Sequence, residues 1–427
     1  MSNYSEPCIG REVLPNGLVV ITEPMPHLRS VSVGIWVRAG SRREPAGLNG
    51  IAHFIEHMVF KGTARRSAEQ IAREVDSVGG ALDAFTSREQ VCFNAKVMDE
   101  HLPLALDVLS DMVLHPLFAE GDIAKEKQVI LEEIRADEDN PESLAHELLT
   151  ENFWRGHPLG LPILGRRATV RAFTRANLMK VFRPWYAPGN LIITAAGRIE
   201  LAQMVELVSG MFGDLPARKG PAAIGPKPQP HARLTVRDKP ALEQAHITIA
   251  VPSFPLAHPR RYAAAVLNNI LGGGMSSRLF QNVRERQGLA YAVFSELSPY
   301  ADAGMLSIYA GTSRQTVERV LRLVGEELRR IKKEPVPADE LRRSKDQLKG
   351  SLLLSLESSG SRMSSVARQE MYFGRFFTTE EVLAALEGVT CEDVQEIAQE
   401  FFQAEKIAIT AVGPLGGLRL HRDLLAH

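Results

Sequence analysis

Two histidines and a glutamate stand within five residues of one another, His53, Glu56 and His57, in the run LNGIAHFIEHMVFKG. Imidazole nitrogens are donors for a divalent transition metal, and a carboxylate beside such an ion can take a proton from water. The apolar residues Ile51, Phe54, Ile55, Met58 and Val59 recur at i, i+3, i+4, i+7 and i+8, which predicts an amphipathic helix. At about 100° per residue, His53, Glu56 and His57 fall opposite the apolar stripe and are expected to look into a cleft or solvent. His53 and His57 are one turn apart, so both rings can converge on a single ion. The plainer alternative is a solvated polar face that carries two histidines by accident.

A catalytic zinc site takes three protein ligands and a water. Cys8, Cys92 and Cys391 are too far apart for zinc-finger spacing, so the missing donor must be a histidine or a carboxylate. The strongest acidic helix is GDIAKEKQVILEEIRADED, residues 121–139. Ile123, Ile130 and Ile134 mark its apolar stripe, and Glu126 and Glu133 lie almost in line along the edge of that stripe. Glu132 points away and reads as solvated. Carboxylates on the packed side of a helix are unfavourable unless paired or bound to a cation, which makes Glu126 and Glu133 the ligand candidates. Pairing with lysine or arginine is the alternative for both.

The elements that must hold these residues come from a chain of 427 residues, 44% hydrophobic, with a net charge of -1. That is material for two or more domains, and it supplies no basic field for nucleic acid or an anionic membrane. The odd, scattered cysteines fit a reducing compartment, and neither a signal sequence nor a membrane-spanning run is evident. The chain reads as cytoplasmic, or as a mitochondrial-matrix protein if a transit peptide has been removed. Residues 216–230, PARKGPAAIGPKPQP, read as a linker. NLIITAAG at 190–197 matches KIAITAVG at 406–413, and at the same offset of 216 VSVGIWV at 31–37 matches ITIAVPS at 247–253. A duplicated α+β unit is expected, with residues 1–215 as the metal-binding half and 231–427 as a half without metal. Shifted by 216, HFIEH lands on NILGG at 269–273. Helices are expected at 67–78, 99–114, 120–138, 142–153, 315–333 and 338–356.

HFIEH followed by Glu133, together with HFIEHMVFKGT, LDAFTSREQ, PLGLPILG, LGGGMSSRLF and VRERQGLAYAVFS in that order, resembles the pitrilysin and insulysin family of inverted-motif zinc peptidases. The resemblance spans essentially the whole chain and is greatest to short members such as the processing-peptidase β subunit and its bacterial relatives. It implies two homologous α/β-roll halves, each an antiparallel-rich sheet covered by helices. It also implies one zinc ion per chain on His53, His57 and Glu133, with Glu56 as general base and Glu126 orienting a zinc-bound histidine.

By the same resemblance, Ala84, Phe85 and Thr86 belong to an edge strand that pairs with the substrate backbone, although Asp83 stands where asparagine is common. Phe60 matches an aromatic lining the pocket for the residue after the cut. Arg284 and Tyr291 match a paired arginine and tyrosine that contact substrate, and Gly272–Gly274 match a glycine-rich loop that lacks the phosphate-loop lysine. Processing-peptidase β subunits carry two acids after the glutamate ligand; here those places hold Ser143 and Glu147. A peptidase broader than a strictly arginine-directed one is therefore expected.

The activity implied is hydrolysis of short or unfolded peptides within a dimer chamber. A homodimer needs no missing part, since one chain carries both halves. The alternatives are a noncatalytic scaffold subunit of the same fold, or a subunit active only with a different partner chain.

Overall fold

A computed structural model describes residues 9–218, 220, 225–418 and 420–421; Cys8 and part of the expected linker, residues 219 and 221–224, lie outside them. Runs of β-branched and aromatic residues form the strands. β1 (Gly10–Val13), β2 (Val19–Pro24), β3 (Ser30–Val37), β4 (Ala81–Thr86), β5 (Val91–Met98) and β6 (Leu191–Gly197) make one sheet, in the order β1-β2-β6-β3-β5-β4. β7 (Leu234–Asp238), β8 (Ala245–Ser253), β9 (Ala290–Pro299), β10 (Gly304–Thr312) and β11 (Ala408–Gly413) make the second, in the order β7-β11-β8-β10-β9. Leaving β1 aside, the two orders are identical, and each sheet has its parallel pair at the same place, β2 with β6 and β7 with β11. The segments matched at an offset of 216 are β3 with β8 and β6 with β11, so the duplication read from sequence is present in the topology.

The helices, in chain order, are α1 (Ile51–Val59), α2 (Ala68–Asp76), α3 (Leu102–Leu114), α4 (Glu120–Asp139), α5 (Pro141–Phe153), α6 (Arg167–Ala172), α7 (Arg175–Trp185), α8 (Leu201–Phe212), α9 (Arg261–Gly272), α10 (Val317–Lys333), α11 (Ala338–Ser355), α12 (Ser359–Tyr372), α13 (Thr379–Glu387) and α14 (Cys391–Phe401). The seven predicted helices correspond to α1, α2, α3, α4, α5, α10 and α11, with ends shifted by a few residues where ranges were expected. Among the described residues no helix is long and apolar enough to cross a membrane.

The chain divides into two compact units, and their boundaries correct the expected halves 1–215 and 231–427. Unit 1 is Met1–Ile134, Leu161–Gly225 and Leu353–Thr378; unit 2 is Arg135–Gly160, Pro226–Leu352 and Thr379–His427. The physical reason is that each sheet has two apolar faces to cover. In unit 1, Val33 and Ile35 of β3 pack with Phe54 of α1, Leu106 of α3 and Val208 of α8. Trp36, one residue on and so on the other face, packs with Ile21, Ile192 and with Met363, Val366 and Ala367 of α12. In unit 2 the corresponding second face, Ala250, Met305 and Ala408, is covered by Leu149 and Phe153 of α5. α5 and α12 stand at nearly the same offset as the matched strands. Each sequence half thus contributes one helix to the unit built mainly from the other.

β4 and β9 are the terminal strands at equivalent ends of their sheets. β4 pairs on one side with β5, from Ala81 opposite Lys96 to Thr86 opposite Val91. Its other side carries no strand among the described residues.

Candidate metal centre

α1 begins at Ile51 after Gly50, whose φ of 91° is open to glycine at little strain. A side chain there would also place its Cβ 2.5 Å from the Cα of Gly165, so the loop before α6 packs directly against the entry to α1. Ile51, Phe54, Ile55, Met58 and Val59 are buried as the periodicity predicts. His53 is buried as well, at 7% exposure, which corrects the expectation that it faces a cleft or solvent. The cause is cover on the polar side of α1, where β4 packs and where α4 brings Glu126 and Glu133 to the two rings.

The Nε2 atoms of His53 and His57 are 3.1 Å apart, and Glu133 Oε2 lies 3.8 Å from the first and 3.7 Å from the second. A point in their plane equidistant from the three donors is about 2.1 Å from each, the length of a bond from zinc to imidazole nitrogen or carboxylate oxygen. Among the described residues this is the group of three or more such donors that converges closely enough for a metal. The residues fit zinc in chemistry too. His57 Nδ1 meets Glu126 Oε1 at 2.8 Å, which fixes the tautomer with Nε2 free to donate. Burial, then the neighbouring His57, pushes the His53 pKa down to about 3, so its ring is neutral and able to donate.

Glu126 is 3% exposed and also receives Lys61 Nζ at 2.7 Å from Oε2. Of the two ligand candidates on α4, Glu133 joins the donor group and Glu126 does not; Glu126 instead meets His57 and, as the alternative reading allowed, pairs with a lysine. Glu133 keeps 43% of its side chain exposed, and Glu132 is exposed.

Glu56 stands beside this group. Burial raises its pKa, and the hydroxyl of Thr86, which donates to Oε2, works against that rise, as does His57. Thr86, expected only as part of a substrate-pairing strand, thus touches the candidate base. Leu82 and Ala84 face the same way: with Glu56, His57, Phe60 and Lys61 they line a cavity of about 270 Å³. Phe85 points to the opposite face, where its ring meets Trp36 at 5.8 Å, and it is 39% exposed. The strand period separates the three residues that sequence grouped together. Phe60 ends α1 and packs toward Phe93 at 6.5 Å.

In unit 2, α9 occupies the place of α1 against the edge strand. Where the offset expects His53 there is Asn269, whose Nδ2 donates to Ser344 Oγ at 2.9 Å and to Gln347 Oε1 at 3.3 Å. A neutral amide and hydroxyl network fills the position. Gly272 lets the end of α9 approach β9, since a Cβ there would fall 2.4 Å from the backbone nitrogen of Ser295. Arg284 lies in a π-helical turn, Phe280–Arg286, with its guanidinium 4.6 Å from the Phe280 ring centre and 5.1 Å from that of Tyr291. Tyr291 is 78% exposed at the start of β9. Glu147 on α5 has its pKa pushed up to about 7 by burial and by Asp137, Glu151 and Glu138 around it. The backbone nitrogen of Ser143 donates to Asn140 Oδ1 at 3.3 Å at the start of the same helix.

Sequence reasoning missed Lys61, Glu44 and Tyr186. Lys61 follows His57 by four residues, a spacing that offered a signal. Glu44 accepts from the backbone at the start of α1, and its distance from the helix falls outside any capping pattern. Tyr186 is a buried phenol whose pKa is raised by burial and by Glu56, and nothing local in the sequence marks it.

Residues 19–167 match the family model described as Insulinase (Peptidase family M16), and residues 172–348 match that of the Peptidase M16 inactive domain. YmxG of Bacillus subtilis, named an uncharacterized zinc protease, is 42% identical over 410 residues, 96% of this chain and 99% of that protein. Proteins of the same description from Streptomyces coelicolor and Mycobacterium tuberculosis are 39% and 38% identical, over 95% and 96% of this chain and 90% and 94% of theirs. A Helicobacter pylori protease shares the fold with a TM-score of 0.88 at 23% identity, covering 95% of this chain and 99% of its own. A Pseudomonas fluorescens structure described as a peptidase M16 inactive domain does so at 0.89 and 23%, covering 95% and 98%. The chain belongs to the M16 (insulinase) family of peptidases.

Proposed function

We propose that this protein is a zinc endopeptidase that hydrolyses short or unfolded peptides, with one zinc held by His53, His57 and Glu133. The observation that carries the reading is the closure of three donor atoms on one point with Glu56 beside them. Zinc held there supplies Lewis acidity toward a peptide carbonyl and lowers the pKa of water to about 7. Glu56 takes the proton of the attacking water and hands it to the leaving amine; burial raises its pKa above that of a free carboxyl group. Thr86 holds the carboxylate in place through its hydroxyl. Glu126 keeps His57 in the donating tautomer.

The free side of β4 offers main-chain groups to an extended peptide, which gives affinity with little demand on sequence. Phe60, Leu82 and Ala84 take a side chain next to the cut. Arg284 and Tyr291 donate to a peptide carbonyl or to the developing oxyanion, and Glu147 attracts basic residues. A homodimer supplies the enclosing chamber, and the free thiols Cys92 and Cys391 suit the reducing cytoplasm. The donor set is complete and Glu56 stands beside it, which disfavours a noncatalytic scaffold.

The test is metal analysis of the purified chain beside turnover of an unstructured fluorogenic peptide library, for wild type and Glu56→Gln. About one zinc per chain, with turnover lost in Glu56→Gln while zinc is retained, supports the reading. Zinc without turnover in the wild type would favour a scaffold or an obligate second chain, and a metal-free chain would overturn the ligand assignment.

A further inference from the structure

We propose that Glu44 is a positioning residue for the metal centre: its carboxylate clasps the first turn of α1 and thereby holds His53 on the point where the three donors converge. The inference rests on the zinc reading above.

The first turn of an α-helix has backbone N–H groups with no partner inside the helix, and it frays first. His53 is the third residue of α1 and lies in that turn. The cap position is Gly50, which has no side chain to cover those donors. Glu44, six residues upstream, does so instead. Its Oε2 accepts from the nitrogen of Gly50 at 2.8 Å, and its Oε1 from the nitrogen of Ala52 at 2.9 Å. The same Oε2 accepts from Asn49 Nδ2 at 3.1 Å, and that amide also donates to the carbonyl of Pro162 at 2.9 Å. One carboxylate therefore ties the turn to the loop that Gly165 brings against Gly50.

A second observation shows why this turn matters for the metal. The two histidines are not held alike. His57 is gripped at Nδ1 by Glu126. Among the described residues the buried His53 Nδ1 has no hydrogen-bond partner. Among the described residues no carboxylate meets His53 at Nδ1, so the aim of its ring follows from the backbone that carries it and from packing. The backbone on its N-terminal side is fastened by Glu44. A carboxylate presents one acceptor oxygen to each N–H donor; an amide of the same volume would turn its NH2 group toward one of them.

The experiment measures zinc affinity by chelator competition, and backbone amide exchange of residues 50–54 in the metal-free chain, for wild type, Glu44→Gln and Glu44→Ala. Glu44→Gln, which preserves volume, keeps the test open if Glu44→Ala does not fold. Zinc affinity lower by about tenfold or more, as for other groups that orient ligands, together with faster exchange confined to the first turn, is the expected result. A folded Glu44→Gln chain with wild-type zinc affinity, or with unchanged exchange at residues 50–54, would overturn the inference. A wild-type chain that binds no zinc, with exchange at the turn still raised in Glu44→Gln, would overturn the zinc reading itself and the positioning role with it.

Discussion

Glu126 holds His57 and Lys61 with opposite oxygens, Oε1 2.8 Å from the imidazole Nδ1 and Oε2 2.7 Å from the ammonium. A carboxylate this buried needs a partner on each oxygen, and an acceptor at Nδ1 is what leaves His57 Nε2 free for a metal. Glu126→Gln should therefore weaken zinc binding by roughly 10- to 100-fold, read by chelator competition. Lys61→Met leaves the contact to His57 in place and should fall between that variant and wild type. Equal losses in the two variants would mean that the lysine, and not the histidine contact, is what the metal site needs.

The hydroxyl of Thr86 donates to Glu56, the proposed base. A hydrogen bond to an ionised carboxylate favours the ionised form, so Thr86→Val should raise the Glu56 pKa further. The acid limb of the activity profile should move to higher pH, with kcat down by about tenfold for the loss of one charge-assisted bond. Zinc content should not change. A drop in activity with an unshifted acid limb would assign Thr86 to substrate binding instead.

Helix α1 and its partner acids were legible because burial and chemistry share the helical period. Ile51, Phe54, Ile55, Met58 and Val59 fix which side of α1 packs, and Ile123, Ile130 and Ile134 do the same for α4, so the faces of His57, Glu126 and Glu133 followed. The strand matches at a constant offset likewise carried the sheet topology, since register in a sheet is set by a period of two. What sequence could not show was long-range cover. Nothing local says that α12 lies on Trp36 and Ile192, or that α5 lies on Ala250 and Ala408, and the unit boundaries were missed for that reason. Burial of His53 failed for the same cause: the residues that roof α1 come from α4 and β4. Glu44 was invisible because a cap supplied from six residues away has no fixed spacing.

Arg284 on the π-helical turn stands against Tyr291 at the start of β9, with the phenol largely in solvent. An exposed side chain contributes little to stability, so Tyr291→Phe should leave thermal unfolding within experimental error of wild type. If the hydroxyl donates to a developing oxyanion, its removal should lower kcat by about 100-fold or more with zinc affinity unchanged. A loss expressed wholly in KM would indicate ground-state peptide binding only.

Glu147 links pH to both stability and selectivity. Its pKa is raised from 4.5 to about 7 by burial first and by the surrounding Asp137, Glu151 and Glu138 next. A carboxyl group whose folded pKa lies above its unfolded value binds more protons in the folded state between those two values, so its contribution to stability falls as pH rises from about 4.5 through about 7. Glu147→Gln should therefore raise the unfolding temperature at pH 8 and leave it nearly unchanged at pH 4.5. A substrate arginine placed against this group would favour its ionised form. Preference for arginine-containing peptides over neutral ones, measured as a ratio of kcat/KM, should thus grow between pH 6 and pH 8 in the wild type and stay flat in Glu147→Gln. A stability change without the change in selectivity would leave Glu147 a half-buried acid of unit 2 with no part in choosing substrate.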